Sequence, residues 1–449
     1  MSGKSRCLFW GMPVFTLLLA GTIMAVEETP ESNQKVSLGG YSFWQIGQIV
    51  KGWDKIADTI SGQWQNNVLI GLMIKAQPNE RLGVVVNPEF YLNYPNPQKQ
   101  NQAQSVHPFG IAYINDAYGK FSFGDVENPF MKASLGMFVF KYNPDGRNFG
   151  DYLFRTGTYP TYIINNFDFP AARLLGLHLS SDAVRNLHAD VLLTSEAFIF
   201  PLWDFSVTAI ASYKLFNALE IGGGVDFARC LPVMDSLTSP HWKNVSYYNS
   251  YITQDGDTAF YSFKAIKAMT RAAIDPKRFF GSPEIFGPED LKLYGEICWV
   301  GVDGYSNAKY AFDSANNIAI IPWYNNLTER TPRMVGFNLP AFRVLDVLSG
   351  ELEYFPSVIP NDYKAVEELL SPVPNLPENI NSYNKSNYNK GFWRWSVYAK
   401  KMIVQGFNMT GEIAFDHLRT TRVDGSTQQP ESLTKAGHWH WNLKFGYFF

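Results

Sequence analysis

The chain has 449 residues, a formal charge of -3 and charged side chains at only 18%. That mild acidity argues against a nucleic-acid partner, and beyond the N-terminus no run of ~20 apolar residues exists to cross a membrane as a helix. Aromatic content is 16%, with 24 Tyr, 34 Phe and 12 Trp, and Tyr and Trp collect at membrane interfaces because one end of the ring is apolar and the other polar.

Lys4 and Arg6 precede an uncharged stretch from Cys7 to Val26 with its apolar centre at Val14 to Ala20, and small residues follow at Gly21, Thr22 and Ala25 before Glu27 and Glu28. That order predicts a secretory signal over residues 1–25, cut after Ala25. Gly11, Pro13 and Gly21 interrupt the stretch, which leaves it short for an uncleaved anchor. Cleavage removes two bases and no acid, moving the formal charge to -5. Cys230 and Cys298 are then the remaining cysteines, too few for a disulfide scaffold, and their spacing leaves pairing open. Residues 26–449 show no fixed-period repeat, low-complexity tract or linker, which predicts a single domain.

Along that domain, segments alternate apolar and polar residues with period two. Leu82, Val84, Val86, Phe90 and Leu92 alternate with Arg81, Gly83, Asn87, Glu89 and Asn93. One long register is expected through 109–123, with Phe109, Ile111, Tyr113, Ala117, Phe121 and Phe123 opposite Asp116, Tyr118, Lys120 and Ser122. Residues 205–213 and 219–227 form a hairpin around Asn217 with both apolar faces on one side. Trp393, Trp395, Val397 and Ala399, then Phe407, Met409, Ile413 and Phe415, repeat the pattern. Segments 135–141 and 259–275 carry apolar side chains on both parities, so their facing is ambiguous. In the last segment Trp439, Trp441, Leu443, Phe445, Tyr447 and Phe449 share one face, against His438, His440, Asn442, Lys444, Gly446 and Phe448.

Short connections are expected near 77–80, 125–133, 182–186, 214–218, 276–289, 340–345 and 401–405. Longer ones fall near 51–65, 93–107, 142–172, 196–201, 230–258, 303–332, 356–391 and 419–437. Lys55 to Ile60 and Tyr363 to Leu370 read as short helices inside two of the long ones. The classes alternate, which predicts an all-β transmembrane antiparallel barrel of about 16 strands (~14 to 18), with short periplasmic turns and long extracellular loops.

The 142–172 loop holds Asp145, Arg147, Asp151 and Arg155 among aromatics. Folded inward, such a loop narrows the lumen and its charges set selectivity; folded outward, it is a cap. Lumen-parity candidates are Glu89, Lys120, Asp190, Asp204, Glu220, Asp226, Glu296, Arg394, Lys400, Glu412 and Asp416, whose acids outnumber bases and predict a mild cation preference. His178 and Ser180 share a polar parity opposite Leu175, Leu177 and Leu179, facing away from lipid, with no third member evident for a nucleophile–base arrangement. His438 and His440 share a parity, but two ligands without a carboxylate or Cys cluster make no metal site, so neither metal nor cofactor is expected. Gly222, Gly223 and Gly224 lack the Lys-Ser/Thr and helix of a phosphate loop and are expected to mark a bend or bulge.

With a signal, alternating walls, alternating connection lengths and the Trp439-x-Trp441-x-Leu443-x-Phe445-x-Tyr447-x-Phe449 ending, the chain resembles Gram-negative outer-membrane β-barrel proteins of the porin type. The stretch from Gly136 to Asp145 resembles the strand leading into the constriction loop of phosphate-type porins. The resemblance implies an outer-membrane location and a terminal assembly signal read by the outer-membrane insertion machinery. It also implies outer-membrane lipids and small hydrophilic solutes as partners, and homo-oligomers, often trimers. The expected function is a porin-like passive channel, not an enzyme. The alternatives are a closed structural or adhesive barrel and a barrel lipid hydrolase.

Overall fold

A computed structural model describes residues 36–52, 60–94, 109–154, 171–196, 205–231, 250–252, 258–260, 265–280, 284–303, 310–312, 318–320, 327–355, 393–418, 432–433 and 435–449. The expected signal segment, Arg155, Asp204 and both expected short helices, Ile60 excepted, lie outside these residues.

Sixteen strands close into one antiparallel barrel, each paired with its neighbour in sequence and the last with the first. They are β1 Val36–Lys51, β2 Gln63–Ala76, β3 Leu82–Asn93, β4 Phe109–Gly124, β5 Pro129–Phe140, β6 Ala172–Ser181, β7 Leu187–Glu196 and β8 Phe205–Leu215. The second half comprises β9 Leu219–Leu231, β10 Ala265–Ile274, β11 Leu293–Asp303, β12 Arg333–Asn338, β13 Val347–Tyr354, β14 Trp393–Val404, β15 Phe407–Phe415 and β16 Trp439–Phe448. Two small ladders, 250–252 with 258–260 and 310–312 with 318–320, sit within long connections. Closure joins the first strand to the last, so the barrel has no free edge strand, as a membrane wall requires.

The seam uses both chain ends. Tyr41 to Ile49 of β1 run against Phe448 to His440 of β16, and Gly40 and Phe449 exchange backbone hydrogen bonds at 2.8 and 3.0 Å. Outside the seam Trp44 stacks on Phe445, centroids 5.6 Å apart, and Trp64 meets Trp441 edge-on at 5.7 Å. The greasy parity of the last segment thus faces outward, while His440, Asn442, Lys444 and Gly446 are buried on the inner side. The same alternation runs round the wall, with Leu135, Val191, Ile221, Leu352 and Ile413 exposed outward.

Three details depart from the expected pattern. The 109–123 register is not continuous: Asn87 pairs with Asp116 but Pro88 with Ile114, so Asn115 is an extra residue and the parity flips there. Tyr113 consequently lies opposite Glu89 on the inner face, and the outward set before the bulge is Ala112 and Ile114. Pro88 supplies the cause, since it brings no N–H to the ladder. Secondly, pairing runs unbroken through Gly222, Gly223 and Gly224 on both sides, so they are no bulge; a Cβ on Gly224 would come within 3.0 Å of Leu153 and one on Gly222 within 3.0 Å of Arg271. These glycines make room for side chains inside the barrel. Thirdly, two turns are tighter than expected: β5 already begins at Pro129, and Val404 pairs with Phe407 across a two-residue turn.

Replacing outward Val191, which is 47% exposed, by Arg should destabilise the folded barrel in lipid by about 2–4 kcal/mol, the cost of a base near the bilayer midplane. Urea unfolding in vesicles reads this; no loss would contradict the outward assignment.

Candidate functional site

The segment that follows β5 does not leave the barrel. Phe149, Tyr152 and Leu153 are wholly buried, and Tyr142, Asn143, Asp151 and Phe154 nearly so. Their apolar surroundings come from the inner face of the wall: Phe138 and Phe140 of β5, Leu174 of β6, Leu192 of β7, Ile210 of β8, Met269 of β10, Cys298 and Val300 of β11 and Met334 of β12. This explains why 135–141 reads as apolar on both parities. One face meets lipid and the other meets this loop.

Docking a loop in a low-dielectric interior exposes its backbone N–H groups to desolvation, and each must find an acceptor. Wall carboxylates supply them. Glu296 of β11 accepts from the backbone N–H of Asp151 and Tyr152 at 2.9 Å each, from Tyr142 Oη at 2.6 Å and from Asn143 Nδ2 at 2.8 Å. Glu351 of β13 accepts from the N–H of Arg147, Asn148 and Phe149 at 2.6, 2.8 and 2.9 Å, and from Tyr294 Oη at 2.7 Å. Within the loop, Asp151 accepts from the N–H of Tyr142 and Asn143 at 3.1 and 2.9 Å and from Lys141 Nζ at 2.6 Å. Tyr152 Oη donates to Glu353 at 2.7 Å, and Lys267 Nζ donates to the Leu153 carbonyl at 3.0 Å. Gly150, at φ +91°, sets the turn between these clamps; a Cβ there would stand 2.8 Å from Asn143 and 3.0 Å from Glu296. Burial, then the Glu296 charge, push the Tyr142 phenol well above its usual value, so it stays a neutral donor.

The loop starts where β5 ends, on the side of the long connections, yet its charged tip reaches residues of the 275–292 connection at the opposite end. Arg147 Nη2 lies 3.0 Å from Glu289, whose other oxygen takes Lys292 Nζ at 2.8 Å, and Lys292 is 3.5 Å from Asp145. Burial alone would lower the Lys292 pKa, but the Glu289 hydrogen bond and the Asp145 charge hold it above its ordinary value. Arg147, Glu289 and Lys292 keep part of their side-chain surface, 19%, 29% and 23%, so the solvent-facing charges are shared between the loop tip and the 275–292 connection.

Of the sequence-predicted residues, Asp145, Arg147 and Asp151 sit on this inward loop. Asp226, Glu296, Arg394 and Glu412 are buried on the inner wall, and Glu220 is half-buried there in an ion pair with Arg271. Lys120 is solvent-exposed, its Nζ 5.1 Å over the Tyr118 ring. Glu89 binds the Tyr41 hydroxyl on the β1–β4 side, and Asp190 takes His178 at 2.8 Å and His188 at 3.0 Å. Lys400 is half-buried on β14 and Asp416 buried just past β15. Lys267, Arg271, Glu351 and Glu353 escaped sequence reasoning. The first two lie in a segment of ambiguous facing, whereas Glu351 and Glu353 did carry a signal, alternating with Leu352 and Tyr354. The expected absence of a carboxylate cluster near His440 is corrected: Glu412 and Asp416 converge on it, while His438 stays apart, its Nδ1 accepting from the Lys435 N–H at 3.3 Å.

In architecture this is a porin-type barrel. An even, closed antiparallel wall carries a long connection folded inward after its fifth strand. No protein-family model matches the chain, and no curated protein does. Among solved structures it is similar to a triple mutant of the Rhodopseudomonas blastica porin, with TM-score 0.41 and 7% identity over 92% of this chain and 100% of that one. It is also similar to Salmonella typhi OmpF in complex with daunomycin, TM-score 0.44 and 11% identity over 92% and 97%. A third is the outer membrane channel DcaP of Acinetobacter baumannii, TM-score 0.43 and 11% identity over 93% and 99%. At that level of likeness function has to be read from this barrel's own geometry.

Phe149→Ala or Tyr152→Ala should weaken loop docking by about 3–5 kcal/mol, the usual loss for a buried ring, without opening the barrel. Limited proteolysis should then cut within 142–154 while the band keeps its folded, heat-modifiable mobility. Protease resistance equal to the wild type would contradict the packing.

Proposed function

We propose that this chain is a passive outer-membrane channel for small hydrophilic solutes, with the 141–154 segment as its constriction. The observation that carries the reading is the loop itself, anchored by Glu296 and Glu351 inside a closed barrel with its charged edge at Arg147, Glu289 and Lys292. Bringing charges of both signs to the narrowest part is how such pores discriminate among ions and solutes. In this reading residues 1–25 are the export signal, the terminal Trp439 to Phe449 face addresses the chain to the insertion machinery, and the apolar belt meets outer-membrane lipid. Homo-oligomers are compatible with it.

Counting lumen acids does not set selectivity here. Glu296 and Glu351 are occupied as acceptors for loop amides, while Glu220 and Asp226 face Arg271 and Lys267. The constriction quartet carries two acids and two bases, Asp145 and Glu289 against Arg147 and Lys292. Weak selectivity at the quartet replaces the cation preference that a tally of wall charges suggests.

A second reading, a closed structural barrel, draws support from the deep burial of inner-wall polar groups such as Glu353 and Thr410, both at 0% exposure. For a hydrolase, Asp190 at 2.8 Å gives His178 the carboxylate partner that the sequence did not reveal, but His178 and Ser180 share the inner-wall parity, away from lipid.

Single-channel recording in planar bilayers separates these readings. Stable ohmic steps are expected of the channel and silence from folded protein of the closed barrel. Glu351→Ala removes acceptors worth about 1.5–3 kcal/mol per charge-assisted bond and should raise conductance by loosening the loop. Arg147→Ala should shift selectivity toward cations. Neither shift in a conducting protein would take the loop out of the ion path.

A further inference from the structure

Inside the barrel, beside the docked loop, three potential metal ligands meet at the β15–β16 ladder. Ala414 pairs with His440, and the period-two alternation puts Glu412 and Asp416 on either side of Ala414 on the same inner face. The methyl group of Ala414 leaves the space that His440 enters from across the ladder. His440 is 1% exposed, Glu412 2% and Asp416 6%, and one ligand atom from each lies within 4.8 Å of the others.

The hydrogen-bond inventory of this cluster is incomplete. Ser396 Oγ donates to Glu412 Oε1 at 3.0 Å, the Leu418 N–H to Asp416 Oδ1 at 2.9 Å and Asn148 Nδ2 to Asp416 Oδ2 at 2.7 Å. Both ring nitrogens of His440 and Glu412 Oε2 have no hydrogen-bond partner. Nε2 stands 3.7 Å from Glu412 Oε2 and Nδ1 3.6 Å from Asp416 Oδ1, too long for hydrogen bonds. Those distances allow ion pairs with a protonated ring but leave three buried atoms without a hydrogen bond, which is costly. Ligands about 2.0–2.1 Å from a tetrahedral zinc ion lie roughly 3.4 Å from one another, so the 3.7 Å gap between imidazole and Glu412 is nearly that of a ligand pair, and Asp416, with an oxygen within 4.8 Å of both, has to close in by about an ångström to be the third.

We propose that His440, Glu412 and Asp416 form a binding site for one divalent transition-metal cation, of which zinc is the representative. One imidazole nitrogen with two carboxylates suits such an ion better than calcium or magnesium, whose sites are all oxygen. Three protein ligands leave a fourth position for water. Because Asn148 of the loop holds Asp416, occupancy ties the constriction to the wall and places positive charge beside it.

The test is calorimetric titration of the folded, chelator-stripped barrel with zinc chloride, with calcium chloride as comparison. One zinc per chain is expected, at least tenfold tighter than calcium. Affinity should fall at least tenfold in His440→Gln and in Glu412→Gln, and stay unchanged in His438→Ala. Should His440→Gln fail to fold, the near-isosteric Glu412→Gln carries the same readout. Absence of saturable zinc binding, or binding undiminished in the variant that folds, would overturn the site and leave His440 as a buried ion-pair partner of the two carboxylates.

Discussion

Phe149, Tyr152 and Leu153 lie fully buried in the middle of a barrel whose interior would ordinarily be wet, and most of the molecule's departures from a plain alternating wall follow from that. Water inside a barrel demands only that inward residues be polar. A docked loop demands more: an apolar inner patch to receive its rings and fixed acceptors for its amides. Burial of each such side chain contributes ~1.5–3 kcal/mol, which has to outweigh the entropy of ordering the loop. The Glu296 and Glu351 clamps remove the remaining obstacle, unpaired N–H groups in a dry site. Either half alone would fail: rings without acceptors would bury orphaned amides, and acceptors without rings would leave two desolvated carboxylates.

That division also decides how much could be read from the residues. Wall strands facing lipid on one side and polar groups on the other show clean alternation, so the terminal strand, the 205–227 hairpin and the number of strands were legible. Where the inner face is apolar, alternation vanishes, and the facing of 135–141 was hidden for a physical reason. Met269 and Ala273, packed into the loop's apolar cluster, blurred the alternation around Lys267 and Arg271. Pro88 was visible, but its consequence, a bulge across the ladder at Asn115, depends on the partner strand. Loop placement was beyond period-based reading too. The aromatics of 142–154 gave the hint, and only pairing geometry brings Glu296 and Glu351, from two different strands, under it. The convergence of Glu412, Asp416 and His440 is likewise a matter of register, which brings His440 to one inner face with carboxylates 24 and 28 residues before it in sequence.

Functionally, the arrangement separates two jobs that acids on a barrel's inner wall can do. Glu296, Glu351 and Glu353 hold structure, buried with the loop groups that donate to them. Charges on the loop edge keep contact with water and remain available to solutes. In the proposed channel, selectivity rests mainly on the loop tip and on Glu289 and Lys292 opposite it, and stability on the wall.

The central claim, a loop packed dry against the inner wall, is tested most directly at Cys298, which is fully buried on that wall beneath the loop, whereas Cys230 is half-buried. A chain lacking residues 1–25 and carrying Cys230→Ser leaves Cys298 as its one thiol, and a charged, membrane-impermeant maleimide reports its access from the lumen. The account predicts no labelling of the folded protein, and labelling once Phe149 and Tyr152 are both changed to Ala. Rapid labelling of Cys298 with the loop residues intact would mean that water already reaches the wall, and that the loop is not packed there.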